Sequence, residues 1–270
     1  MPAIRMSNSA LATFTQISPN RDSPRNKKID TITIHHMAGN LTVERCGQLF
    51  ASPSRKGSSN YGVDTAGKIG LYVPESDRAW TSSNPANDHR AITIEVANDQ
   101  IGEPWHVSET AIIALVKLCA DICRRNGIKK LVWSDNKDDR VNHRNGCNMT
   151  VHRDFAATAC PGTYLYSQIG RIANAVNHEL VAGDFSKDVT VALWRVQTGA
   201  FKKKDNAFNM LNKLRKKGYD GIVVLSNGLF KVQLGAFKEL ANAEKLSKTV
   251  HVLGFDTFIT DKGGEMVAER

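Results

Sequence analysis

ITIHHMAG, residues Ile32–Gly39, opens on an apolar run and ends on two histidines. Ile32, Thr33 and Ile34 have the β-branched composition of a short buried strand. Successive side chains on a strand point to opposite faces, so His35 and His36 are turned to different sides. We expect a strand at Thr31–His35, and similar runs predict strands at Tyr61–Val63, Gly70–Val73 and Ala91–Val96. Helices are expected at Val43–Ser52, Glu109–Asn126 and Tyr164–Leu180, the second opening with Ser108 as N-cap and closing at Gly127. Strands alternating with helices define an α/β domain with a central mixed β-sheet flanked by helices.

A second segment, VHRDFAATACPG at Val151–Gly162, supplies His152 and Cys160. Taken singly, a histidine at a strand end is a hydrogen-bonded residue and a cysteine a small buried hydrophobe. Together, two imidazoles and one thiolate suit a borderline-soft ion such as Zn2+ and leave the fourth tetrahedral position open, the arrangement of a catalytic rather than a structural site. His143, Cys147, His152 and Cys160 also form a finger-like series, but that grouping leaves His35 without a task. The segment WSDNKDDRVNHRNGCNMT, Trp133–Thr150, is rich in Asp, Asn and Arg and is expected to be an exposed loop. Glu95 sits in AITIEVAND, Ala91–Asp99, where a carboxylate among alternating apolar residues is costly unless it is paired or functional.

An apolar strand ending in His-His, followed much later by His-x7-Cys-Pro-Gly, resembles the type 2 N-acetylmuramoyl-L-alanine amidases. This family of zinc enzymes includes peptidoglycan recognition proteins and many phage endolysins. The resemblance runs from about Ile29 to about Ile172. It implies His35, His152 and Cys160 as zinc ligands, with His36 in a supporting or core role. It also implies Glu95 as the acid/base, Thr158 near the substrate carbonyl, and Trp80 in DRAWTSSN lining the substrate groove. Some relatives carry a Tyr and a His where this chain has Ser59 and Asn60, so Asn60 and Tyr61 are carried as candidates for substrate contact, with a core role open for Tyr61. The bond implied is the amide between the lactyl group of N-acetylmuramic acid and L-alanine.

Five cysteines at irregular spacing do not form a disulfide framework. Cys119 and Cys123, four apart, share a helix face and are expected in its core. No stretch approaches the roughly 20 apolar residues of a membrane span. MPAIRMSNSALATFTQISPNRD lacks an uninterrupted apolar core followed by a cleavage site, so synthesis in the cytoplasm without a classical signal is expected.

At 270 residues the chain suggests two domains. We expect a catalytic domain at 1–180, a linker at 181–190 and a second domain at 191–270. That second part contains a repeat of about 36 residues, RVQTGAFKKKDNAFNMLNKLRKKGYD (Arg195–Asp220) against KVQLGAFKELANAEKLSKTVHVLGFD (Lys231–Asp256). Val196/Val232, Gln197/Gln233, Gly199/Gly235, Phe201/Phe237, Ala207/Ala243 and Gly218/Gly254 keep one register. Each half reads as strand, helix, strand, with the closing strands at Ile222–Leu225 and Phe255–Thr260, giving a smaller α+β ferredoxin-like βαββαβ domain. The repeat resembles SPOR domains, which bind peptidoglycan glycan strands, especially those stripped of peptides.

Residues 189–260 carry 12 Lys/Arg against 5 Asp/Glu, so 12 − 5 = +7 of the chain's total of +9. This charge suits anionic wall polymers. Nucleic acid is not expected as a partner, because RNA readout on such a sheet needs exposed aromatic residues. The reading is a zinc-dependent peptidoglycan amidase with a wall-binding module, acting on glycan strands and stem peptides. A phage or prophage endolysin is its most economical setting, with a host autolysin exported by another route as the alternative. A catalytically silent wall-binding protein and a zinc peptidase of the stem remain as other readings, and the oligomeric state is left open.

Overall fold

In the computed structural model, which describes residues 8–182, 193–237, 240–261 and 264–267, the chain divides into two units, Met1–Val189 and Thr190–Arg270. Most of the linker expected at 181–190, the first seven residues of the N-terminal stretch and the first residues of the second domain lie outside the described residues.

The first unit runs β1 (Phe14–Thr15), β2 (Arg21–Asp22), β3 (Thr31–His36), α1 (Val43–Ala51), β4 (Tyr61–Val63), β5 (Ile69–Leu71), β6 (Arg78–Ala79), α2 (Pro85–Arg90), β7 (Ala91–Val96), α3 (Glu109–Asn126), α4 (Lys137–Val141), β8 (Met149–Val151) and α5 (Thr163–Ala182). Six strands form one mixed sheet in the order β1-β5-β4-β7-β3-β8, while β2 and β6 pair separately. β3 lies between β7 and β8 and is parallel to both. Every residue of β3 is buried, as its apolar sequence requires of a strand covered on both faces.

α3 has the bounds its caps dictate. Ser108 accepts from the Ala111 N–H, and Gly127 takes the left-handed conformation that glycine adopts without penalty. Its buried stripe includes Ile112, Leu115, Leu118, Cys119, Ile122 and Cys123, and the helix packs on α5. Each large aliphatic side chain so buried stabilises the fold by about 1.5–3 kcal/mol. All five cysteines are free and buried. Among the described residues, no helix is long and apolar enough to cross a membrane.

Trp133–Thr150 is not the exposed loop its polarity suggests. It contains α4 and the first two residues of β8, and the Arg140 side chain inside it is only 2% exposed, paired with Asp154. A three-residue strand carries too little alternation to be visible, and the buried charge is masked by the charged residues around it.

The second unit comprises β9 (Trp194–Phe201), α6 (Lys204–Arg215), β10 (Ile222–Ser226), β11 (Leu229–Phe237), α7 (Leu240–Val252), β12 (Thr257–Thr260) and β13 (Glu265–Val267). Its five strands are antiparallel in the order β12-β9-β11-β10-β13. Ala207, Leu211 and Leu214 of α6 join Val223, Val232, Leu234 and Val250 in its core.

The structure gives a reason for the repeated G-A-F. A Cβ on Gly199 would lie 2.5 Å from the Phe201 ring, and one on Gly235 would lie 2.6 Å from the Phe237 ring. Each aromatic ring therefore occupies the space of the glycine two residues before it. Gly199 also has φ +64°. Gly199→Ala is expected to destabilise the second unit by about 1–3 kcal/mol, seen as faster hydrogen exchange of β9 and β11 amides with α3 unaffected. Equal protection in both proteins would show that the ring moves aside without cost.

Candidate metal centre and catalytic carboxyl

The parallel register of three strands builds the site. His35 is paired with Glu95 on β7, and residues paired across strands project from the same face. His152 immediately follows β8, which pairs with β3 through Thr150 and Val151. Cys160 returns from the turn after His152 and places its Sγ 3.6 Å from His35 Nδ1. The rings of His35 and His152 lie 4.7 Å apart, centroid to centroid. One ligand atom from each of His35, His152 and Cys160 lies within 4.8 Å of the others. Among the described residues, this is the one such group of three or more His, Cys, Asp or Glu.

The surroundings suit a cation. His35 Nε2, His152 Nε2 and Glu95 Oε2 are shielded from solvent and have no hydrogen-bond partner. Burial holds both imidazoles below their usual pKa, that of His35 well below, with the neighbouring His152 and His36 adding to the effect there. Burial thus favours the neutral imidazole, the form that binds metal. Burial, with help from Glu95, raises the Cys160 thiol, while the His36 N–H, 3.4 Å from Sγ, works the other way. Loss of the thiol proton in this site requires a compensating positive charge. These three donors thus fit Zn2+ by chemistry as well as by proximity.

Burial pushes the Glu95 carboxyl up to about 8, with the charge of Arg55 partly opposing. Its neighbour across β4 is Gly62, where a Cβ would meet Tyr72 at 2.7 Å. At the position paired with Glu95, β4 therefore presents no side chain.

Beneath the site is a hydrogen-bonded layer that periodicity alone did not reveal. Thr33, Thr93 and Thr150 each stand two residues before a candidate site residue, and all three are fully buried. Thr33 and Thr150 share a hydroxyl contact of 2.8 Å, and Asn87 bridges them by donating to Thr33 Oγ1 and accepting from Thr150 Oγ1. Thr93 Oγ1 lies 2.8 Å from Thr81 Oγ1. The threonines at i−2 from His35 and Glu95 were the available signal.

His36 turns its ring edge-on to Trp105, 5.1 Å away. Thr158 is exposed, and its Oγ1 accepts from the Cys160 N–H at 3.2 Å. Trp80 is half-buried, donates from Nε1 to Asp22, and lines a cavity of about 370 Å³ with Arg55, Lys56 and Arg78. His143 lies apart from the centre, with its Nδ1 3.0 Å from the Cys147 carbonyl.

Asn60 and Tyr61 need correction as substrate contacts. Both are fully buried. Asn60 donates to the Val73 carbonyl and accepts from the Thr93 N–H, while the Tyr61 hydroxyl donates to Glu75 and accepts from the Ser9 N–H. Their polar atoms are committed to interior partners, so both act in folding. Ser59 is equally buried, with its hydroxyl on the Tyr61 carbonyl.

Neutral nitrogen donors and a buried sulfur beside an ionisable carboxyl are the equipment of a hydrolase. Residues 25–163 match the N-acetylmuramoyl-L-alanine amidase family, and the chain belongs to that family. Residues 190–261 match the SPOR domain, so the chain joins a peptidoglycan amidase to a SPOR module. No curated protein matches the chain. Similar solved structures include PlyL, at 16% identity over 60% of this chain and 95% of that one, TM-score 0.45. The N-acetylmuramoyl-L-alanine amidase LysC from Clostridium intestinale is 18% identical over 56% of this chain and 88% of its own, TM-score 0.42. The peptidoglycan-binding domain of the cell wall lytic enzyme CwlC from B. subtilis is 40% identical over 28% of this chain and 94% of its own, TM-score 0.25.

Proposed function

We propose that this amidase holds Zn2+ through His35, His152 and Cys160 and moves protons through Glu95 as it releases the stem peptide from N-acetylmuramic acid. The observation that carries the reading is the meeting of two partnerless, solvent-shielded imidazole nitrogens with the buried Cys160 sulfur, beside the sheet position that presents Glu95. When bound, zinc supplies Lewis-acid chemistry at neutral pH. In its ionised form Glu95 takes a proton from the attacking water on Oε2 and returns it to the leaving amide nitrogen, the work of a general acid/base. Thr158 Oγ1 already accepts from the Cys160 N–H, so its own hydrogen is free to donate to the developing oxyanion. Trp80 and the cavity it lines receive part of the sugar or peptide.

We assign the SPOR module to glycan strands stripped of peptides, the product that the catalytic unit leaves behind. Phe258, 66% exposed on β12 beside Gln197, offers an aromatic surface for a sugar polymer, and the unit's basic charge suits an anionic wall. A phage or prophage endolysin is the setting proposed, in keeping with many members of the family.

The test is mass spectrometry of purified peptidoglycan digested by the zinc-loaded chain, with Glu95→Ala as control. Free peptides beginning with L-alanine and intact sugar chains are expected, with no products after chelation and restored products on adding zinc. Cleavage inside the stem would identify a peptidase, and wall binding without products a silent recognition protein.

A further inference from the structure

The motif that supplies two of the three candidate ligands also contains a cation that the mechanism leaves unused. Arg153 follows His152, and its side chain turns back on the segment that carries Cys160. Its Nε donates to the Cys160 carbonyl at 3.2 Å, its Nη2 donates to the Ala159 carbonyl, and its backbone N–H also reaches the Cys160 carbonyl at 3.2 Å. The guanidinium lies over the Tyr166 ring of α5, 4.7 Å from its centroid, which fixes the plane of the fork.

The segment it grips has few other holds. Ala157, Thr158 and Ala159 are exposed, whereas Cys160 is buried. On the far side the turn ends at Gly162, which has φ +83° and no room for a side chain, since a Cβ would lie 2.6 Å from Trp105 Cβ. The turn is therefore held at its end by Trp105 and at its ligand by Arg153.

We infer that Arg153 is a positioning residue for the metal centre: by fixing the carbonyls of Ala159 and Cys160, it sets the direction in which Cys160 Sγ faces His35 and His152. This rests on the zinc reading above. A ligand on an exposed turn must be ordered when metal binds, and that entropy is charged against affinity unless the turn is already fixed. A planar fork with several donors can hold two adjacent carbonyls at once, whereas a lysine ammonium on a flexible stem holds its partners less firmly.

The test uses the full chain with Arg153→Met, Arg153→Lys and Tyr166→Leu. Zinc affinity is measured by competition with a chromogenic chelator, and the thiolate-to-metal charge-transfer band is recorded with cobalt(II). Arg153→Met is expected to weaken zinc binding by about 10–100-fold and to shift or weaken the band. Arg153→Lys should recover part of both, and Tyr166→Leu should show a smaller loss in the same direction. Melting of the metal-free proteins shows whether the fold is retained. Wild-type affinity and an unchanged band in Arg153→Met, or a lysine variant no better than methionine, would overturn the inference. A wild-type chain that takes up neither ion would instead overturn the zinc reading and the inference with it.

Discussion

Glu95→Gln is expected to reduce kcat by about 10²–10⁴-fold, the usual contribution of a positioned general acid/base, while zinc content stays at the wild-type level. Glutamine keeps the shape of the side chain and removes only its capacity to exchange a proton. The substitution is also expected to leave the fold intact, because Oε2 has no hydrogen-bond partner to lose. A pH signature separates this role from a structural one. In the metal-free chain, burial raises the folded-state pKa of Glu95 from 4.5 to about 8. Between those values the folded state binds more protons than the unfolded state, so this residue's contribution to stability falls as pH rises. Glu95→Gln lacks that loss, and its melting temperature relative to wild type should increase from about pH 4.5 towards 8. A variant with wild-type turnover would remove Glu95 from the mechanism, whereas a flat difference in melting would show that its carboxyl is solvated.

The parts of the molecule legible in the sequence were those with long or doubled signals. Ala91–Val96 and Glu109–Asn126 have the bounds that alternation and capping dictate, and the repeat around Gly199 and Gly235 yields the antiparallel second unit. The convergence of His35, His152 and Cys160 followed from a family pattern, since nothing in their separation along the chain places them together. β8 was missed because three residues hold little periodicity, yet this strand sets His152 beside His35. Asn60 and Tyr61 were candidates for substrate contact from their place in the family pattern, with a core role open for Tyr61. A polar side chain in sequence looks available for substrate, and only the paired partners, Val73, Thr93, Glu75 and Ser9, show that it is spent on the interior.

Arg140 and Asp154 are the place where that kind of hidden pairing carries the largest energetic consequence. Their side chains are 2% and 0% exposed. Asp154 accepts from Arg140 Nε at 3.0 Å and Nη2 at 2.5 Å, and from the Val151 N–H at 3.0 Å. Arg140 also donates to the Ser134 carbonyl and lies over the Trp133 ring, 4.3 Å from its centroid. Asp154→Ala would leave the guanidinium buried without its counter-charge and strip the Val151 N–H of its acceptor. We expect a loss of about 3–5 kcal/mol, the penalty for breaking a buried pair from one side. For a unit of this size that lowers the melting temperature by about 6–20 °C. Replacing both partners, Arg140→Met with Asp154→Leu, should recover much of the loss, because neither charge then remains to be desolvated. Thermal unfolding of the single and double variants checks both statements. A single variant within about 1 kcal/mol of wild type would show that water reaches the guanidinium, whereas a double variant no more stable than the single one would place the cost in the lost Val151 contact. Because Val151 directly precedes His152, Asp154→Ala should also weaken zinc binding, and the double variant, which still lacks the Val151 acceptor, should recover stability more fully than metal affinity.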